Sequence, residues 1–155
     1  MLVIQRVSWR QPRYSVSDDD GHRGVWTRRR FREAMAGDLD GSPVELRREG
    51  RSRFTLVSSG TVLASADATA RGRWTISVDG SAYQLGRTSR WRSAMEFRRN
   101  EVAVGSIRKG RGGQVLCDLP AGLSPAVQAF IGLVVVALWN RAAASSGSAV
   151  VVAGG

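Results

Sequence analysis

The sequence contains one cysteine and one histidine, and these shortages exclude several kinds of site. A lone Cys117 allows neither an intrachain disulfide nor a zinc site built from cysteine ligands. A lone His22 excludes the histidine clusters of many metal sites. A His22–Cys117 dyad remains possible by count, but Cys117 lies on the last apolar strand, where a free cysteine usually serves as a small hydrophobe. We therefore expect no enzyme activity, no metal and no cofactor.

Lysine is also scarce, since Lys109 is the single lysine against 22 arginines, and the formal net charge is +10. This charge favours anionic partners such as lipid headgroups or nucleic acid. The N-terminal residues 1–6 lack the long apolar run of a signal peptide, so a cytoplasmic location is expected, free or peripheral to a membrane. At 155 residues the chain has the size of one domain, which we expect to be a monomer.

Apolar residues alternate with polar ones through most of the first 117 positions, as half-buried antiparallel strands require. The clearest examples are Val44-x-Leu46, Phe54-x-Leu56, Trp74-x-Ile76-x-Val78, Tyr83-x-Leu85 and Met95-x-Phe97. Turn residues recur about every ten positions and include Asp20-Gly21, Asp40-Gly41 and Asp79-Gly80, which suit two-residue hairpins. The pattern predicts a mainly β fold, a closed antiparallel barrel of about twelve strands over residues 2–117. The run Asp18-Asp19-Asp20 lacks the other acids of a calcium loop and is predicted to be a solvated turn.

The chain changes character after Asp118, because residues 119–139 carry no charge. Ser124-Pro125 is a typical helix start, and Asn140-Arg141 is the predicted end, which gives a helix over 124–141. A helix that is apolar on all sides lies in a protein core or in a membrane. A buried helix at the centre of the barrel is the preferred interpretation, and a membrane anchor spanning 119–139 is the alternative. Residues 142–155 are predicted to form a flexible tail of small residues.

This layout resembles the tubby C-terminal-like superfamily, which includes tubby proteins, phospholipid scramblases and LURP-one-related proteins, and it is most similar to the short bacterial members. The resemblance covers Leu2 to Arg141 and rests on Phe54-Thr55-Leu56-x-x-x-Gly60, Trp74-Thr75-Ile76-x-x-Asp79-Gly80 and the segment from Leu119-Pro120 to Trp139. It implies a barrel around a central helix. It also implies membrane-lipid binding, because tubby proteins bind phosphoinositides through basic side chains. The functional residues of the family have no matching positions in this sequence.

Clustered arginines are the candidate site for an anionic lipid or another anionic ligand. The predicted residues are Arg28, Arg30, Arg32, Arg47, Arg48, Arg51, Arg53, Arg98 and Arg99. Nearby Trp26 and Trp91 are predicted to be anchors at a membrane interface. Peripheral binding of anionic phospholipid through an arginine-rich barrel surface is the favoured function. A nucleic-acid-binding or transcription-associated β protein is the alternative, and no protein partner can be named.

Overall fold

The structure is a computed structural model that describes residues 1–8, 10–28, 34–70, 72–87 and 94–154, with side chains described as far as Ser145. It contains twelve strands, one short 3-10 turn at Arg111–Gly113 and one α-helix, α1 (Pro125–Gly154). The strands are β1 (Leu2–Ser8), β2 (Arg13–Asp18), β3 (Gly21–Arg28), β4 (Met35–Leu39), β5 (Ser42–Glu49), β6 (Arg53–Ser58), β7 (Thr61–Ala70), β8 (Arg73–Val78), β9 (Ser81–Arg87), β10 (Met95–Arg99), β11 (Val102–Lys109) and β12 (Val115–Asp118).

The twelve strands form a closed antiparallel barrel, as the alternation predicts. Each strand pairs with the next along the chain, and β1 closes the barrel by pairing with β12 through Leu2–Cys117 and Ile4–Val115. Every apolar residue of the five alternating motifs is buried, so the period of two correctly identified the inner face. Closure leaves no unpaired strand edge on which another chain could add a strand.

Two of the three Asp-Gly turns have the geometry that the dipeptide predicts, and Asp20-Gly21 differs because Asp20 does not have a positive φ. Asp40-Gly41 and Asp79-Gly80 have positive φ at both residues, which is the signature of a type I′ turn. Two strand glycines are needed for another reason. A Cβ at Gly24 would overlap the carbonyl oxygen of Asp38, and one at Gly37 would overlap that of Val25. Neighbouring strands β3 and β4 therefore approach each other at positions where only glycine fits.

Helix α1 begins where the sequence predicts. The hydroxyl oxygen of Ser124 accepts a hydrogen bond from the backbone N–H of Val127 at 3.3 Å, and the Gln128 side-chain amide donates to the carbonyl of Leu123 at 2.8 Å. These bonds satisfy polar groups of the first helical turn.

The helix fills the centre of the barrel. Phe130, Ile131, Leu133, Val134 and Val135 are all completely buried although they cover every side of the helix. By length and composition, residues 125–145 would also suffice to cross a membrane, but 56% of the apolar 18-residue stretch within that segment is buried inside the structure. The apolar surface that a bilayer would cover in the alternative interpretation is therefore covered here by the strands.

The predicted end of the helix at Arg141 is wrong, because α1 continues to Gly154. Ala142, Ala143 and Ala144 are strong helix formers, and no proline follows them. Arg141 does not cap the helix. Its guanidinium instead donates a hydrogen bond to the carbonyl of Arg51 at 2.9 Å, on the barrel wall. The segment 142–154, predicted as a flexible tail, is helical backbone in the structure.

Candidate anion-binding surface

The up-and-down topology divides the charged residues between the two ends of the barrel. The turns after β2, β4, β6, β8 and β10 lie at one end, together with Met1 and the start of α1, and we call this the helix-start end. The turns after β1, β3, β5, β7, β9 and β11 lie at the other end, where α1 leaves the barrel, and we call this the helix-exit end.

The helix-exit end is strongly basic. Among the described residues, its turns and the adjoining halves of the strands carry three acids, Glu49, Asp67 and Glu96. The same region carries fourteen basic side chains: Arg6, Arg10, Arg13, Arg28, Arg47, Arg48, Arg51, Arg53, Arg73, Arg87, Arg108, Lys109, Arg111 and Arg141. The net charge of the protein is thus concentrated at this end.

The helix-start end is acidic. It contains Asp18, Asp19, Asp20, Asp38, Asp40, Asp79, Glu101 and Asp118. Arg23 neutralises part of this charge because its guanidinium contacts Asp18 at 2.7 Å, Asp40 at 3.3 Å and Asp20 at 3.4 Å. The hydrogen bond from Arg23 is the main reason why the pKa of Asp18 is lowered. The Met1 amine contacts Asp19 at 2.8 Å, so this turn holds ion pairs with the protein's own cations.

Ion pairs engage some of the basic side chains of the helix-exit end and not others. Arg53 contacts Glu49 at 3.1 Å and Asp67 at 3.7 Å, and Arg47 contacts Glu45 at 3.2 Å. A second group has no carboxylate partner among the described residues and is available to an external anion. It comprises Arg10, Arg13, Arg51, Arg73, Arg87, Arg108, Lys109 and Arg111.

The structure brings together some of the predicted site residues and separates others. Arg28, Arg47, Arg48, Arg51 and Arg53 lie at the helix-exit end. Arg98 and Arg99 lie at the opposite end, beside the turn after β10, where Arg98 contacts Glu96 at 2.7 Å. The remaining two, Arg30 and Arg32, fall outside the described residues.

The sequence-based selection left out most of the unpaired cations. The selection favoured runs of arginine, so it omitted arginines whose immediate neighbours are not basic. These include Arg10, Arg13 and Arg73. Counting the turns along the chain would have identified these cations, because every second turn of a meander lies at the same end of the barrel.

The proposed role of Trp26 as an interfacial anchor is wrong. Trp26 is completely buried, since it stands on β3 opposite Tyr14 and Gly37 and faces the barrel interior. An indole inside the core cannot reach a bilayer, so its contribution is to packing. Trp91, the second proposed anchor, lies outside the described residues.

Contacts between α1 and the barrel wall fix the helix where it leaves the barrel. The Lys109 ammonium lies 5.0 Å from the centre of the Trp139 ring, and the Arg141 guanidinium lies 5.2 Å from that of Phe54. Both distances are within the range of a cation–π interaction. A cleft of about 280 Å³ lies beside the helix here, lined by Arg28, Met35, Ala137, Asn140, Arg141 and Ala144.

No protein-family model, curated protein or solved structure matches this chain.

The two residues of the possible dyad lie on different faces of the barrel wall. Cys117 is completely buried beside α1, and burial raises the pKa of its thiol to about 12. A thiol in this state is a poor nucleophile. The side chain of His22 is exposed, and its Nδ1 lies 3.4 Å from the hydroxyl oxygen of Ser15.

Proposed function

We propose that the protein binds anionic phospholipid membranes end-on, with the helix-exit end against the headgroups. The observation that supports this proposal is the concentration of fourteen basic side chains and only three described acids at one end of the barrel. A basic residue near an anionic membrane surface contributes about 1 kcal/mol. The eight cations without a carboxylate partner would therefore contribute about 8 kcal/mol, before the cost of association is subtracted.

The distance between the two ends of the barrel makes the strength of membrane binding depend on which end faces the membrane. A strand of six residues is about 20 Å long, which is more than twice the Debye length of about 8 Å at physiological ionic strength. The acidic helix-start end is therefore screened from a membrane that the helix-exit end touches. Binding through the side wall would instead bring both kinds of charge near the surface and lose much of the attraction.

The continuation of α1 supports the same orientation. From residue 142 to 154 the helix extends roughly 20 Å at 1.5 Å per residue. The sequence of this segment contains no charged residue, and residues 149–153 are Ala-Val-Val-Val-Ala. An uncharged segment that emerges among basic side chains meets no electrostatic barrier at the headgroups.

We also propose a relationship to the tubby C-terminal-like superfamily. A closed twelve-stranded barrel around an apolar C-terminal helix has the layout that this resemblance implies. The membrane proposal does not depend on it, because the charge distribution follows from the topology of this chain alone.

A vesicle co-sedimentation assay tests the function. The protein should bind vesicles that contain phosphatidylserine, should not bind neutral phosphatidylcholine vesicles, and should dissociate as salt is raised. The double variant Arg108→Gln/Arg111→Gln should bind about thirtyfold more weakly, since two contributions of about 1 kcal/mol are lost. The matched control is Arg98→Gln/Arg99→Gln, which removes the same charge from the helix-start end and should leave binding unchanged.

Two outcomes would contradict the proposal. Equal loss of binding in both double variants would show that net charge, rather than the helix-exit end, controls binding. Duplex DNA binding that is tighter than vesicle binding at the same salt concentration would favour the alternative nucleic-acid function, since the same cations could neutralise backbone phosphates.

A further inference from the structure

A groove on the outer wall of the barrel runs from the helix-exit end toward the helix-start end and is unexplained by membrane binding. It has a volume of about 600 Å³ and runs over β9 between β8 and β10. Its lining residues are Arg73, Gln84, Leu85, Gly86, Arg87, Glu96, Arg98 and Glu101. The register places Gly86 between Arg73 and Glu96, and Gln84 between Thr75 and Arg98.

The floor of the groove is open because Gly86 has no side chain, and strand packing does not require glycine there. A Cβ at Gly86 would lie 3.8 Å from the Arg73 Cγ and 3.8 Å from the carbonyl oxygen of Gly72, which are ordinary contacts. At Gly24 and Gly37, by contrast, a Cβ would overlap the backbone of the neighbouring strand. The space above Gly86 is therefore a feature of the surface that a side chain could fill without disturbing the barrel.

The charges in the groove are separated along its length. Arg73 and Arg87 lie at the end nearer the helix-exit end, and neither has an ion pair among the described residues. Glu101 lies at the other end, in the turn after β10, and is likewise without a described ion pair. Between them, Glu96 and Arg98 neutralise each other at 2.7 Å, and the exposed Gln84 supplies an amide. The groove is thus cationic at one end, anionic at the other and neutral between.

We propose that this groove binds a short zwitterionic molecule, with its carboxylate or phosphate at Arg73 and Arg87 and its amine at Glu101. The register gives the spacing. Glu96 is level with Gly86, and β10 ends three residues later at Arg99, about 10 Å along the strand, with Glu101 in the turn that follows. An extended tripeptide spans about 10 Å, so triglycine with free termini is the simplest probe of this spacing.

Isothermal titration of the folded protein with triglycine, without vesicles, tests the proposal independently of membrane binding. Acetylating the peptide's amine or amidating its carboxylate should each weaken binding at least about tenfold, since a charged hydrogen bond is lost. Glu101→Gln should weaken triglycine binding and abolish the difference in affinity between triglycine and its N-acetylated form. Arg73→Gln should weaken triglycine binding and abolish the difference in affinity between triglycine and its C-amidated form.

Gly86→Val should abolish binding because its side chain fills the floor of the groove. Ala82→Val is the matched control, since Ala82 is exposed on the same strand and does not line the groove. Circular dichroism of each variant establishes that the barrel is intact. Absence of triglycine binding at millimolar concentration, equal binding of a doubly blocked peptide, or wild-type affinity in Gly86→Val would each overturn the proposal.

Discussion

Replacing Gly132 with alanine is the sharpest test of how α1 packs inside the barrel. An added Cβ would lie 2.5 Å from the Ile4 Cδ1 and 2.7 Å from the Cys117 Sγ. The best separation for such atoms is about 3.5–4.0 Å, so the new methyl group would overlap both neighbours by about 1 Å. Both neighbours are completely buried, and they belong to β1 and β12, the pair that closes the barrel. Their side chains cannot move into solvent.

Two effects oppose each other in this substitution. Alanine is favoured over glycine in a helix interior by about 1 kcal/mol. Overpacking a well-filled core costs about 1–3 kcal/mol. Because two contacts are violated at once, we expect overpacking to prevail and Gly132→Ala to lower the free energy of unfolding by about 1–2 kcal/mol. For a protein of this size, each kcal/mol corresponds to a fall in Tm of about 2–4 °C.

A double-mutant cycle of Gly132→Ala with Ile4→Val, measured by urea denaturation, tests whether overlap with the Ile4 side chain causes the loss of stability. Valine lacks Cδ1, and the change alone should cost about 0.5–1.5 kcal/mol. In the double variant, the alanine methyl occupies the space that Cδ1 left. The combined loss should therefore be smaller than the sum of the single losses by about 1 kcal/mol. Gly122→Ala is the control, because a Cβ there has no neighbour within 4 Å.

The reasoning is refuted if Gly132→Ala stabilises the protein by about 1 kcal/mol and shows no coupling to Ile4, since that is how an exposed helical glycine behaves. Such a result would mean that α1 does not pack against β1, and it would revive the membrane-anchor interpretation.

Three further substitutions test other parts of the structure. Leu133→Arg should prevent folding because it places an unpaired charge at a completely buried position, while Leu133→Met should fold. Recovery of the wild-type protein only with detergent would contradict a buried helix. Cys117 should resist thiol reagents at pH 8 until denaturant is added. Because its folded pKa of about 12 exceeds the ordinary 9.0, its contribution to stability should be complete below pH 9.0 and be lost as pH rises toward 12, a dependence that Cys117→Ala should remove. Gly37→Ala should disrupt the pairing of β3 with β4, as seen in lower urea midpoints, whereas Gly86→Ala should unfold like the wild type.

The features predicted correctly from the sequence are those governed by neighbouring residues. Phe54-x-Leu56 and Tyr83-x-Leu85 show which side faces inward because the strand period is two, whatever the strand pairs with. Asp40-Gly41 identifies its turn because the required positive φ is a property of the dipeptide. Ser124-Pro125 identifies the helix start because the cap is formed within one turn.

The errors arose where a partner distant in the sequence decides the outcome. Arg141 has the charge expected at a helix end, but its guanidinium bonds to the Arg51 carbonyl, 90 residues away in the sequence. The end of α1 is therefore not marked by that residue. Trp26 lies close to a run of arginines and was interpreted as part of the surface. Its pairing on β3 with Tyr14 of β2 and Gly37 of β4 places it on the inner face of the barrel.

The candidate site residues span both ends of the barrel, because local alternation indicates which face of the sheet a residue occupies and not which end. Arg98 and Arg53 are both exposed on strands, and local alternation treats them alike. Their charge environments differ because β10 ends at the helix-start end, while β6 begins at the helix-exit end. In a meander this distinction follows from counting turns. Asp20, Asp40, Asp79 and Glu101 belong to one set of alternate turns, and arginine-bearing turns dominate the other. The composition shows only that the protein is basic, whereas the topology separates its charges into a basic end and an acidic end. The basic end is also the end from which the uncharged C-terminal part of α1 extends.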